Sequence, residues 1–252
     1  SPFTTWTRGL SWILLGYAEE LEFLAGLAES EFHGFPLGTK KTVPTMFLDA
    51  ALATADWWLT HSFDDGMVYW DAGAPNIPCC SQCGKDGCCE GGCCRRNDSA
   101  PSQLPITNDQ LPASRSAKTC CCESSIYAAP SDPYNDHEPI DSSAAAIAAQ
   151  GIDRLSTVLA KIDKQRAQAY KNAALLIAQT LFAEPYLATD PQHQGLILHS
   201  IYHRPNNWDH IPKGRNIPCG ESSLWGDYHA LELANLLHRA AAKEPYITFF
   251  DR

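Results

Sequence analysis

The stretch "DSSAAAIAAQGIDRLSTVLAKI", residues 141–162, decides the fold class. Asp141 is a good N-cap, because its short acceptor side chain can take up backbone N–H groups that a helix start leaves without partners. The Ala-rich run behind it reads as a helix. Working outward, Leu10, Ile13, Leu14, Tyr17, Leu21, Leu24 and Ala28 recur with the helical period, predicting a first helix with one packed face. A second helix follows Pro44, a residue suited to a first turn, with a stripe of Leu48, Ala51, Leu52, Ala55, Trp58 and Leu59. A fourth carries Tyr170, Ala174, Ile177 and Leu181, and a fifth lies within "CGESSLWGDYHALELANLLHRAA", residues 219–241. Between these two, "GLILHSIYH" (195–203) reads as a short strand or an extended crossing. No strand–helix–strand alternation and no strict repeat occur, so the chain reads as all-α, with long loops between helices.

The chain has 252 residues, 44% hydrophobic and 19% charged, enough for one large domain with a core. Its net charge of −10 argues against a nucleic-acid partner, which needs a basic face. An acidic ligand would require a local cation against the global field. No apolar run approaches the length of a membrane span, so no membrane partner is expected. The chain has no initiator Met and no leader pattern, and it reads as a fragment.

Ten of the eleven cysteines lie between Cys79 and Cys122, in "CCSQCGKDGCCEGGCC" (79–94) and "CCC" (120–122). Cys80 and Cys83 form C-x-x-C. The tract holds no His, however, and its doublets lack the ordered spacing of zinc knuckles, so no metal site is expected. Between the clusters, "RRNDSAPSQLPITNDQLPASRSAK" (95–118) is Ser/Pro/Asn-rich without apolar period, and reads as disorder. The expected division is 1–78 as helices that include "TTWTRGLSW", 79–135 as a Cys/Ser/Pro-rich insertion, and 136–252 as further helices.

The candidate site begins at "TTWTRGLSW" (4–12). On a helical wheel Arg8 and Trp12 lie together, opposite the stripe of Leu10, Ile13 and Leu14. Two placements fit. Either this face lines the lumen of an α/α barrel, or Trp12 packs on a neighbouring helix and Arg8 meets a carboxylate. Trp70 and Asp71 follow a Gly turn in "DGMVYWDAGAP" (65–75). Tyr202, His203, Arg204, Trp208, Trp225 and Tyr228 crowd into residues 200–229. Flat aromatic rings stack on sugar faces and Arg pairs with carboxylates, so the loops suggest a groove for an acidic sugar. Cys219 has no placed His beside it, and is not expected to be a nucleophile.

These segments resemble the unsaturated glucuronyl hydrolases, glycoside hydrolase family 88. "TTWTRGLSW" resembles their W-S-R-G-Q-A-W motif and "MVYWDAGAP" (67–75) their P-Y-W-D-F-x-A-P segment. "DSSAAAIAAQGI" (141–152) is similar to their D-S-S-A-A-A-I-A-A helix start. "LILHSIYHRP" (196–205) and "SSLWGDYHALE" (222–232) resemble the terminal L-L-H-G and I-W-G-D-Y-Y-F-L-E-A-L motifs. The resemblance covers residues 4–72 and 137–245. It implies an (α/α)6 six-hairpin barrel, of which this chain holds roughly the C-terminal half.

It also implies release of a 4,5-unsaturated uronyl residue from the non-reducing end of lyase-generated oligosaccharides. A carboxylic acid protonates C4, water adds at C5, and the hemiketal opens to expel the next sugar. No cofactor is implied, and the compartment stays open, leaning to the cytoplasm. The catalytic aspartates of the family lie upstream of W-S-R-G, so none is expected in this chain. Carried over by position, Trp6, Arg8 and Trp12 match substrate-contacting residues, and Gly226 matches the Gly of W-G-D-Y, where ligand or backbone approaches closely. Trp225, Arg204 and Trp70 complete the expected substrate-binding set. Leu10 departs from the family's Gln, and the S-x-x-S-x-K sulfate pattern is absent around Tyr202–Arg204. Seventy positions lie between Trp70 and Asp141, where the family has a short loop.

Two alternatives remain, a non-catalytic sugar-binding remnant and an unsaturated rhamnogalacturonyl hydrolase of family 105. Of the acids present, Asp141 is expected to cap, with a lowered pKa. Asp227 is expected to cap, or to orient Arg and Trp neighbours.

Overall fold

The computed structural model describes residues 5–32, 42–75, 77–78 and 126–248. The Cys-rich tract, with the disorder expected for it, lies outside the described residues. Five α-helices are present among those described: α1 (Thr7–Leu24), α2 (Val43–Thr60), α3 (Ser142–Leu159), α4 (Lys164–Leu181) and α5 (Leu224–Ala241). Three isolated β-bridges are the only extended pairing among the described residues. The fold is all-α, as expected, and no described helix is long and apolar enough to cross a membrane.

α3 is the centre of the arrangement and is buried along almost its whole length, including Ala144 to Ile152 without interruption. α1 and α5 flank it, and all three run in the same direction. Near their starts Arg8 of α1 meets Asp141 and Ser143, and Trp225 of α5 meets Ser143. Further along, Arg154 of α3 reaches Glu22 of α1, and Gln150 of α3 reaches His229 of α5. α2 and α4 form an outer layer, joined where Tyr170 donates to Asp56 at 2.6 Å. Three parallel inner helices backed by outer helices form an arc of an α/α barrel. At the far end, the segment after α5 closes over α1 and α3, with Tyr246 donating to Glu22.

Local signals account for most of the helix starts. Thr42, Asp141, Asp163 and Ser223 each accept a backbone N–H from the first turn they cap. α2 buries Ala51, Ala55 and Trp58, and α4 buries Tyr170, Ala174, Ile177 and Leu181, on the stripes read from sequence. α1 is the exception. Its buried face is Thr7, Arg8, Ser11, Leu14, Leu15, Ala18, Leu21 and Leu24, while Ile13 is 50% exposed. The stripe is thus rotated toward Arg8, and the expected opposition of Arg8 to the packed face does not hold. The cause lies in α3: a Cβ on Gly151 would stand 2.9 Å from the Leu15 N and 3.1 Å from the Leu14 C. Backbone-to-backbone approach at Gly151 brings the Leu14–Leu15 side of α1 against α3.

Two loop segments lace the N-terminal ends of the inner helices together. Residues 68–72 bridge α1 and α3: Thr7 N–H donates to the Trp70 carbonyl at 3.1 Å, and Asp141 N–H to the Val68 carbonyl at 3.0 Å. Residues 199–202 bridge α3 and α5: Ser142 N–H donates to the His199 carbonyl at 3.1 Å, and the Ser200 and Ser223 hydroxyls pair at 2.5 Å. "GLILHSIYH" is therefore an extended crossing with one bridge, Leu187 to Ile197. Residues 126–135, assigned to the insertion from sequence, pack on this body. Ile126 is buried, Tyr127 lies edge-on to Phe63, and Ser131 donates to Asp65 at 2.6 Å.

Candidate functional site

The N-terminal ends of α1, α3 and α5 converge on Arg8. This residue is only 3% exposed. Nη1 donates to Asp141 Oδ2 at 2.9 Å, to Ser143 Oγ at 3.3 Å and to the Ile201 carbonyl, and Nη2 donates to the Tyr202 carbonyl at 2.8 Å. Arg8 meets a carboxylate, as one of the two expected placements had it, while Trp12, the other half of that placement, is left partly exposed. Arg8 presents no open fork to a ligand, because protein acceptors already occupy it.

Around this pin stand three tryptophans. The guanidinium carbon lies 4.9 Å from the Trp225 ring, 5.3 Å from Trp6 and 5.8 Å from Trp12, within cation–π range. Trp6 and Trp12 meet edge to face at 5.9 Å, and Trp12 is 41% exposed. Trp225 donates its indole N–H to Ser143 at 3.3 Å, which sets its tilt. From Trp225 the aromatic surface runs outward. Tyr202 stacks on it at 5.2 Å, and Trp208 stacks on Tyr202 at 5.4 Å. Tyr202 is 48% and Trp208 60% exposed. Asp209 holds this loop, accepting the N–H groups of Tyr202 and His203.

The carboxylates of this region are committed to the protein. Asp141 caps α3, accepting Ser143 N–H at 3.2 Å, Ser143 Oγ–H at 2.5 Å and Ile201 N–H at 3.4 Å, besides Arg8. Contrary to the expected lowering, complete burial pushes its carboxyl above the ordinary range, with Arg8, Ser143 and the Ile201 N–H pulling the other way. A raised carboxyl suits a general acid, yet Asp141 is fully buried beneath Arg8 and touches no open space. Asp71 accepts Thr5 N–H at 2.7 Å and Gly73 N–H at 2.9 Å. Glu138 is paired with Arg204 and accepts Asp71 N–H at 3.2 Å. Asp227 takes the Leu196 and Ile197 N–H groups at 3.0 and 3.1 Å. It therefore anchors the crossing segment; Ser223 is the cap of α5.

The structure brings together Trp6, Arg8, Trp12 and Trp225 of the expected set, with Arg204 on the adjoining turn. Trp70 stands apart, 2% exposed, inside the bridge between α1 and α3, where it cannot meet a ligand. The missing side chain of Gly226 makes room for the protein itself: a Cβ there would stand 2.8 Å from Ser200 Oγ and 2.9 Å from Ser223 Oγ. The stack of Tyr202 and Trp208 was not part of the expected set. The clustering of aromatics in residues 200–229 was its signal, but no sequence spacing shows which rings face each other. Among the described residues no group of three His, Cys, Asp or Glu comes together as a metal site.

Several solved structures share this fold. One is a UGL variant with dGlcA-Glc-Rha-Glc, at TM-score 0.52 and 22% identity over 94% of this chain and 40% of that one. Another is the unsaturated glucuronyl hydrolase of Bacillus sp. GL1, responsible for the degradation of glycosaminoglycan, at TM-score 0.51 and 23% identity over 94% and 40%. A third, specific for heparin, matches at TM-score 0.52 and 19% identity over 98% and 42%. The chain thus spans about two fifths of the length of these proteins. No protein-family model and no curated protein matches it.

Proposed function

We propose that the chain carries the substrate-contacting end of a glycoside hydrolase site for 4,5-unsaturated uronyl residues at the non-reducing end of lyase-generated glycosaminoglycan or related oligosaccharides. One observation carries the reading: three tryptophans gathered by a buried arginine where the starts of three parallel inner helices meet. The fold shared with unsaturated glucuronyl hydrolases supports it. In this role Trp12, with the partly exposed Trp6 and Trp225, contacts the sugar. Arg8 acts through these rings, fixing their positions. The described carboxylates serve the protein's own hydrogen bonds, so these residues bind and orient, and the proton for C4 comes from an acid outside them.

Titrating the chain with an unsaturated disaccharide should quench tryptophan fluorescence, and Trp12→Ala should weaken binding about tenfold. The ultraviolet absorbance of the conjugated double bond should persist. Failure of any unsaturated uronyl saccharide to bind would overturn the reading. Loss of absorbance would reveal a local acid, with Asp71, Asp141 or Asp227 the first suspects. The commitment of these carboxylates also favours a second reading, a non-catalytic saccharide-binding protein, which keeps the binding and predicts no turnover under any condition.

A further inference from the structure

The arc of inner helices has two open edges. α5 buries Gly226, Ala230 and Leu233. The opposite side of its wheel carries Leu224, Tyr228 and Leu231, which are 85%, 56% and 63% exposed. α1 likewise turns Gly9, Ile13, Gly16 and Glu20 away from the side it buries. Ile13 and Glu20 are exposed, and a Cβ on Gly16 would meet nothing within 4 Å among the described residues. A glycine in mid-helix costs about 1 kcal/mol against Ala. At Gly151 the close approach of α1 to α3 offsets that cost, whereas Gly16 has no such neighbour within the described residues.

The two open sides fit one another. They have the same spacing, 9, 13, 16 and 20 on α1 against 224, 228, 231 and 235 on α5. Both helices are 18 residues long, about 27 Å. They start level, since Arg8 and Trp225 both reach Ser143. Counted from those starts, Tyr228 falls between Gly9 and Ile13, and Leu231 between Ile13 and Gly16. Ridges then meet grooves along two parallel helices. The Trp6 ring already covers Gly9, so the open hollow is the one at Gly16, beside Leu231. Further along, exposed Glu20 comes level with exposed His238, a carboxylate against an imidazole. One edge thus carries the hollow and the other the knobs. A single chain cannot join them, because α1 and α5 lie on opposite flanks of α3, but a second copy offers both. A two-fold axis along the inner helices sets α1 of each copy against α5 of the other, keeps six inner helices parallel and leaves no edge open.

We infer that two copies of this chain close into a ring of six inner helices through two identical seams of α1 on α5. The inference is independent of the saccharide reading. In the closed ring each copy supplies the wall that faces the other's tryptophans across the lumen. Sedimentation velocity in reductant, which keeps the cysteines of 79–122 from linking copies, should give twice the mass of the chain and no larger species as concentration rises. Gly16→Leu fills the hollow without meeting a neighbour in its own chain. Circular dichroism should show its helix content kept, while pairing weakens at least about a hundredfold, since the substitution enters both seams. Leu231→Ala should weaken pairing about tenfold. The two together set a large residue opposite a small one again, and should restore most of the affinity. Leu175→Lys, exposed on α4 and away from both seams, should leave the doubled mass as it is.

A single-chain mass up to about 100 μM would overturn the inference, and would give these faces to a different occupant. So would a doubled mass indifferent to both Gly16→Leu and Leu231→Ala, or a double variant that recovers nothing. Assemblies that grow past two with concentration would also overturn it, because the seams would then join copies into an open file instead of a ring.

Discussion

At the scale of single residues, Arg8 and Asp141 form a buried ion pair at 2.9 Å. Each is almost wholly removed from water and depends on the other for compensation. Breaking such a pair strands a buried charge, so Arg8→Ala should destabilise the chain by about 3–5 kcal/mol in urea unfolding. Asp141→Asn keeps a good cap. With Arg8 left buried without its counter-charge, a loss close to that of Arg8→Ala is expected. The pair Arg8→Met with Asp141→Asn should recover part of the loss. Trp6, Arg8 and Trp12 were legible because they sit within the first two turns of one helix and its approach. The Asp141 partner, 133 positions away, was not, since pairing at that distance is decided by packing. His199 offers a second test. Its Nδ1 accepts the Gly220 N–H at 3.1 Å, its ring is wedged between Tyr134 and Tyr186, and burial pushes its pKa down to about 4. The unfolded chain takes up this proton near pH 6.5, the folded chain only near 4. Stability should therefore be full above pH 6.5 and fall as the pH drops toward 4, by at most about 3 kcal/mol. His199→Asn, compatible with the left-handed backbone at this position, should flatten that limb.

At the scale of elements, the outer helices followed their apolar periodicity and α1 did not. α2 and α4 each have one neighbouring surface to satisfy, and a stripe of large apolar residues suffices to orient them. α1 is oriented by contact with α3 at Gly151, and a contact made of absent side chains leaves little trace in a hydrophobic pattern. Gly151→Ala tests this directly. Helix propensity alone would favour Ala by about 1 kcal/mol. The new Cβ meets backbone, which cannot step aside, so a net loss of about 1–3 kcal/mol in unfolding free energy, seen as a lowered urea midpoint, is expected. A gain in stability would mean that α1 and α3 stand further apart than described.

At the scale of the whole molecule, the all-α class could be read from the helical periods and the absence of strand alternation, while the barrel was implied by the family resemblance. The convergence of three helix starts on one point could not, because it is built by the crossing segments 68–72 and 199–202, whose sequences carry no periodic signal. That construction makes a forecast about motion. A helix sheathed on nearly every side can expose its amides only when its surroundings come apart, whereas a surface turn can open by itself. Native-state hydrogen exchange should therefore place the amides of Ala144–Ser156 among the slowest, exchanging with the free energy of global unfolding. Residues 204–216 should exchange fastest near the site and slow on saccharide binding. The wall bearing Trp6, Trp12 and Trp225 would then be a fixed surface, and any adjustment to the length or decoration of a saccharide would fall to the loop that holds Trp208.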